Sequence, residues 1–232
     1  MNAGNSVREA RAHWGWGSLL ILAWLAALVV PALPAQELQP KFSWKKDSSR
    51  GLLESYGVEL NENGTGQFYF RRRNEEQVQM TVVLKPAAIE ALIALFVKAD
   101  FLNASKDFVS QRKVADMGAK TIRFHAGFQS REVVYNYTED RFLQEITNFF
   151  ENLCQQEKSL FEIDLALKYD RLGIPKKLDE LDRNLSAKRI VAPERFAALL
   201  ERIYQDQSLM NLARKEAKKL LSRIEKMQTF AN

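Results

Sequence analysis

Residues 139–171 place Phe142, Ile146, Phe149, Leu153, Leu160, Ile163 and Leu167 in steps of four and three that only Gln156 interrupts. This spacing predicts one amphipathic helix, roughly 50 Å long at about 1.5 Å per residue. Its apolar stripe needs cover along the whole length, so the segments before and after it must both supply packing surfaces. The upstream segment has period two, and the downstream segment has period 3.6.

Upstream, Tyr56, Val58 and Leu60 alternate before "NENGTG" at 61–66, whose Asn and Gly residues tolerate the backbone of a hairpin turn. Phe68 and Phe70 alternate next. A turn near Asn74–Glu76 leads into Val78, Met80, Val82 and Leu84, which completes an antiparallel meander. Pro86 opens a helix with Ile89, Leu92, Ile93 and Phe96 on one face, and a long irregular connection runs from Phe101 to Gly118. Ile122, Phe124 and Ala126 predict a fourth strand, and Val133, Tyr135 and Tyr137 a fifth. Thr138 is the expected cap of the long helix.

Downstream, Gly173 and Pro175 stop that helix. Three shorter helices are expected. The first carries Ile174, Leu178, Leu181 and Leu185, the second Phe196, Leu199, Leu200 and Ile203 after Pro193, and the third Leu209, Ala213, Ala217, Leu220, Ile224 and Met227. The predicted class is α+β: a small antiparallel sheet packed on helices, then a C-terminal all-α bundle. The expected boundaries are 51–157 for the α+β domain and 158–232 for the helical region. Residues 36–50, with Pro40, Lys45, Lys46, Asp47, Ser48 and Ser49, read as an exposed lead-in.

Residues 1–35 read as a secretory signal peptide. Arg8 and Arg11 precede an unbroken apolar run of twelve residues, Leu19–Val30, and Pro31, Pro34 and small residues come after it. The run covers roughly 18 Å, short of the hydrocarbon core of a bilayer at about 30 Å. The alternative is an uncleaved anchor over the uncharged stretch Ala12–Ala35, held at the inner membrane. Cleavage leaves a mature chain without a transmembrane span, exported to the periplasm or secreted. Net charge falls from +5 to +4, because Arg8 and Arg11 leave together with Glu9. The helix over 209–228 holds Arg214, Lys215, Lys218, Lys219, Arg223 and Lys226 against Glu216 and Glu225. That surplus accounts for the net charge of the mature chain, so the basic balance comes from one helix and no nucleic-acid partner is expected. Lys215, Lys218, Lys219 and Lys226 lie opposite the apolar stripe of this helix and are its candidate contacts with an anionic surface.

Other chemistry is sparse. The single cysteine, Cys154, falls in the apolar helical pattern and reads as an inert core thiol, and no internal disulfide is expected. After leader cleavage His125 is the one histidine left, on the strand face opposite Phe124, so a His/Cys metal set is missing. A Cys154–His125 pair would require two faces to meet that the pattern keeps apart. "NENGTG" joins two strands and lacks the Lys-Ser/Thr ending of a phosphate loop and the acidic spacing of a calcium loop. Carboxylates are plentiful at Asp164, Asp170, Asp179, Glu180 and Asp182, of which Asp179, Glu180 and Asp182 alternate with Leu178 and Leu181 as on a solvated helix face, and Arg71–Arg73 read as a charged strand end. No cofactor is implied.

The order "YGVEL-NENGTGQFYF", "VVLKPAAIEALIALFVKADFL" and "TIRFHAGFQSREVVYNY" resembles a bacterial exported domain family of unknown function, over about residues 48–155. The resemblance implies a sheet hairpin, a proline-opened helix, a second hairpin, and export. Members often carry cysteines before the first strand, and "SSRGLLESYG" has none. The expected function is an exported, non-enzymatic binding or assembly module of the bacterial cell envelope, with an envelope protein or an anionic surface as partner. The alternatives are a carboxylate-dependent hydrolase of envelope polymers and an inhibitor of a secreted enzyme that uses "NENGTG" as a wedge.

Overall fold

A computed structural model describes residues 40–48 and 50–229. The expected signal peptide at 1–35, its alternative as an anchor, and residues 36–39 and 49 of the lead-in lie outside the described residues. The strands are β1 (Phe42–Asp47), β2 (Leu53–Leu60), β3 (Thr65–Arg72), β4 (Val78–Val83), β5 (Ala119–Ala126) and β6 (Gln129–Tyr135). The helices are α1 (Pro86–Lys98), α2 (Arg141–Tyr169), α3 (Ile174–Ser186), α4 (Ala197–Gln205) and α5 (Asn211–Thr229). The α+β class stands, with one antiparallel sheet in the order β4-β3-β2-β1-β5-β6.

Within the lead-in expected at 36–50, the exposed reading is corrected over residues 42–47. Residues 42–47 form β1, paired to β2 on one side and β5 on the other, in the middle of the sheet. Phe42 and Trp44 are fully buried, while Ser43 and Lys45 point to the other face. Two apolar positions followed by Lys-Lys-Asp give too short an alternation to outweigh the charges. The ladder partners on both sides hold the strand in place regardless.

One face of the sheet is solvated, with Gln67, Arg71, Gln79, Arg123 and Glu132 exposed on it. The other face packs under α1 and the first half of α2, where Phe42, Trp44, Val58, Phe68, Ile122 and Phe124 meet Leu92, Phe96, Ile146, Phe150 and Leu153. A second core joins Ile163 and Ala166 of α2 to α3, α4 and α5 through Leu178, Leu181, Leu200, Ile203, Leu220 and Ile224. The stripe on α2 is therefore covered along its length by a sheet first and by helices afterwards, as the periodicity demands.

Local chemistry sets the ends. Asp140, not Thr138, caps α2: its carboxylate accepts from the Leu143 N–H at 2.8 Å. Thr138 sits two residues earlier and accepts from the Asp140 N–H at 3.2 Å. At 61–66 the Asn63 side chain accepts from the Thr65 backbone N–H at 3.0 Å, and Gly64 takes φ 84°. The hairpin tip is anchored, since the Leu84 N–H donates to the Gly64 carbonyl at 2.9 Å. Arg131 fixes the long connection after α1, donating to the carbonyls of Phe101, Asn103 and Lys106 and lying over the rings of Phe101 and Phe108. Among the described residues no helix is long and apolar enough to cross a membrane.

Candidate functional site

The sequence-predicted residues disperse over the molecule. Lys215, Lys218, Lys219 and Lys226 are exposed on one face of α5. Lys219 pairs with Asp182 at 3.0 Å and Glu216 at 2.9 Å, and Lys218 lies 5.2 Å from the Tyr204 ring centre. His125 and Cys154 sit on opposite sides of the sheet, the cysteine buried beneath it, so they do not meet. Burial pushes the Cys154 thiol well above its ordinary pKa, with Glu151 and Glu157 adding to the effect. The acidic residues serve as structural partners. Asp164 takes Lys168 and Arg202, Asp179 takes Arg183, Asp182 takes Lys219 and Arg223, and Asp170 accepts from the Gly173 N–H. Arg71 pairs with Glu54 and Arg72 with Glu75. Among the described residues no three His, Cys, Asp or Glu side chains gather as a metal set.

Two polar constellations emerge that periodicity did not single out. The first joins the layers. Gln156, the break in the apolar stripe, is fully buried, and its carbonyl accepts from the Ala192 N–H at 2.8 Å. Its amide donates to Glu157, which is 1% exposed and also accepts from Arg195 at 2.8 and 2.7 Å. The Arg195 guanidinium then reaches the edge strand β4, donating to the carbonyls of Thr81 at 3.0 Å and Val83 at 3.4 Å. The same arginine satisfies a buried carboxylate and covers a sheet edge. An adjoining cleft of about 410 Å³ includes Met80, Phe161, Arg195 and Arg202. Its arginines are matched by Glu157 and Asp164, so it carries no surplus charge.

The second constellation carries unmatched charge. A cleft of about 160 Å³ opens where β5 and β6 meet α2, lined by Lys120, Tyr135, Gln144, Thr147, Asn148 and Glu151 among others. Period two puts Lys120 on the same face as Ile122 and Phe124, so a lysine occupies a core-facing position and is only 5% exposed. Its Nζ donates to the Asn136 carbonyl at 2.9 Å, a neutral partner. The cleft carboxylate, Glu151, is matched from behind by Lys46 at 3.3 Å, the residue in register with Lys120 on β1. Burial lowers the Lys120 pKa, Lys46 lowers it further, and Glu151 opposes both. Two ammonium groups thus act against one carboxylate.

The cleft wall is polar and ordered. The Tyr135 hydroxyl and the Thr147 hydroxyl are hydrogen-bonded, and Thr147 donates to the Leu143 carbonyl at 2.6 Å. Burial raises the Tyr135 pKa, keeping the phenol protonated. Behind it the indole Nε1 of Trp44 is buried without a hydrogen-bond partner, close enough to the phenol oxygen to act on its pKa. Asn136 is held by the Met117 N–H and the Ala115 carbonyl, both at 2.9 Å, which fixes the carbonyl that receives Lys120. A lysine in step with core residues was the signal in the sequence. It is weak, because strand ends commonly carry lysine.

A family model described as a domain of unknown function (DUF6438) matches residues 40–157. The match begins just ahead of β1, includes every residue named for the Lys120 cleft, and ends at Glu157. The resemblance to a domain family of unknown function read over 48–155 is therefore borne out, and the match extends through β1. No curated protein matches the chain.

Proposed function

This chain belongs to the DUF6438 family, and from that premise we propose that it is an exported, non-enzymatic binding module of the bacterial cell envelope whose cleft takes a small carboxylate. The observation that carries the ligand is Lys120: a buried ammonium with a neutral hydrogen-bond partner, beside a second lysine that already answers the nearby glutamate. A buried charge without a counter-charge is unfavourable, and an entering anion removes that penalty. The volume sets the size. About 160 Å³ is close to the roughly 150 Å³ of a cavity that admits benzene, which suits a ligand of about half a dozen heavy atoms. Export rests on the leader at residues 1–35. The exposed lysine face of α5, with Lys215, Lys218, Lys219 and Lys226, supports a second contact with an anionic surface.

The hydrolase alternative asks for a carboxyl group with a raised pKa in a cleft. The carboxylates whose pKa is displaced, Asp140, Asp164, Asp182 and Asp206, are all displaced downward. The test of the binding reading is calorimetric titration of the full chain with propionate and with inorganic phosphate, for the parent and for Lys120→Met. Saturable propionate binding that the substitution abolishes supports the reading. Unchanged binding in the variant, or none in the parent, defeats it. Recovery of the native product from the cytosol defeats export.

A further inference from the structure

We propose that Lys120 is a reactive amine that captures a small 2-oxo acid as a reversible imine, an inference that rests on the carboxylate reading of the same cleft. Three features of the geometry and one of the electrostatics support it. The Nζ lies in a cleft, and its neutral partner, the Asn136 carbonyl, leaves the nitrogen lone pair of the free amine available. Burial and a neighbouring cation, Lys46, both favour that free amine, the two devices by which lysine nucleophiles are activated. Hydroxyl and carboxyl groups line the same space, at Tyr135, Thr147 and Glu151. The Asn148 amide, on the exposed side of α2, offers a donor for the ligand carboxylate.

The step balances without an oxidant or a reductant. The Nζ lone pair forms a bond to the ketone or aldehyde carbon, and the carbonyl π pair moves to oxygen. The proton lost by nitrogen passes to that oxygen, giving a carbinolamine. The oxygen takes a second proton, drawn from solvent, and leaves as water while the nitrogen lone pair closes the C=N bond as an iminium, whose remaining N–H proton returns to solvent to leave the neutral imine. Glu151, the carboxylate lining the cleft, relays these protons, accepting each before passing it on. Tyr135 stays protonated and donates to Thr147 rather than competing for the proton. Hydrolysis by the reverse path returns the ligand intact, so the chemistry is capture and release, not turnover.

The experiment is reductive trapping. The full chain is incubated with glyoxylate and cyanoborohydride, digested, and mapped by mass spectrometry. Lys120 is expected to acquire the reduced adduct ahead of exposed lysines such as Lys215 and Lys226. Lys120→Arg, which keeps a cationic donor but no nucleophile, is expected to lose that adduct. Glu151→Gln is expected to slow trapping. Modification spread over the exposed lysines with Lys120 untouched overturns the imine. If propionate still binds in that case, the carboxylate reading survives alone; if propionate does not bind either, both fall.

Discussion

Arg195→Ala removes the one group that answers a buried carboxylate and covers a strand edge at once. Glu157 is 1% exposed and would keep only the Gln156 amide as a donor. Removing one partner of a buried ion pair costs about 3–5 kcal/mol. The arginine side chain is 19% exposed, so water re-enters on that side, and the Thr81 and Val83 carbonyls recover partners from solvent. The lower end, about 3 kcal/mol, is therefore expected. With a urea slope of about 3 kcal/mol per molar for a chain of this size, the unfolding midpoint measured by circular dichroism falls by about 1 M. The partner change carries the diagnostic. Arg195→Met with Glu157→Leu removes both charges and is expected to recover most of the loss, since paired apolar replacements of buried ion pairs are often neutral. A single variant that loses under about 1 kcal/mol, or a double variant no better than the single one, refutes the clamp.

The packing sets three further outcomes. A Cβ at Gly57 would lie 2.5 Å from the Trp44 carbonyl oxygen and 2.7 Å from the Tyr69 hydroxyl, so Gly57→Ala is expected to destabilise by about 1–3 kcal/mol, read by thermal melting. Burial pushes the Tyr69 pKa up to about 12 from 10.0, with Glu59 next among the causes. The fold thus favours the neutral phenol: this contribution is intact below pH 10.0 and is lost as the pH climbs from there toward about 12, so Tyr69→Phe is expected to make the alkaline loss of stability shallower in pH-dependent urea titrations. Cys154, buried with a raised pKa, is expected to react with a thiol reagent only on unfolding, and rapid labelling of the native chain would contradict its placement.

Period two and period 3.6 made most of the architecture legible, because the meander, both flanks of α2 and the bundle each expose one apolar stripe of sufficient length. β1 was hidden by its brevity: Phe42 and Trp44 alternate, but Lys45, Lys46 and Asp47 come at once. Its position comes from neighbours on both edges, a non-local cause. Gln156 looked like a flaw in the stripe and is instead a buried link to Ala192, thirty-six residues away. The cleft was the least legible feature. Lys46 and Lys120 are far apart in sequence, and only the pairing of β1 with β5 sets them side by side. The α5 lysines showed the opposite imbalance. Their shared face was evident from the helical wheel, but the engagement of Lys219 by Asp182 depends on how α3 packs on α5.

Lys120 as a buried ammonium with a neutral hydrogen-bond partner, awaiting an anion, can be checked by following the lysine side-chain resonances by NMR across an alkaline titration, with and without propionate. The Lys120 amine is expected to titrate below the ordinary lysine value of 10.5, and propionate is expected to move it upward. A Lys120 amine that titrates with the exposed lysines and ignores propionate would overturn that assignment.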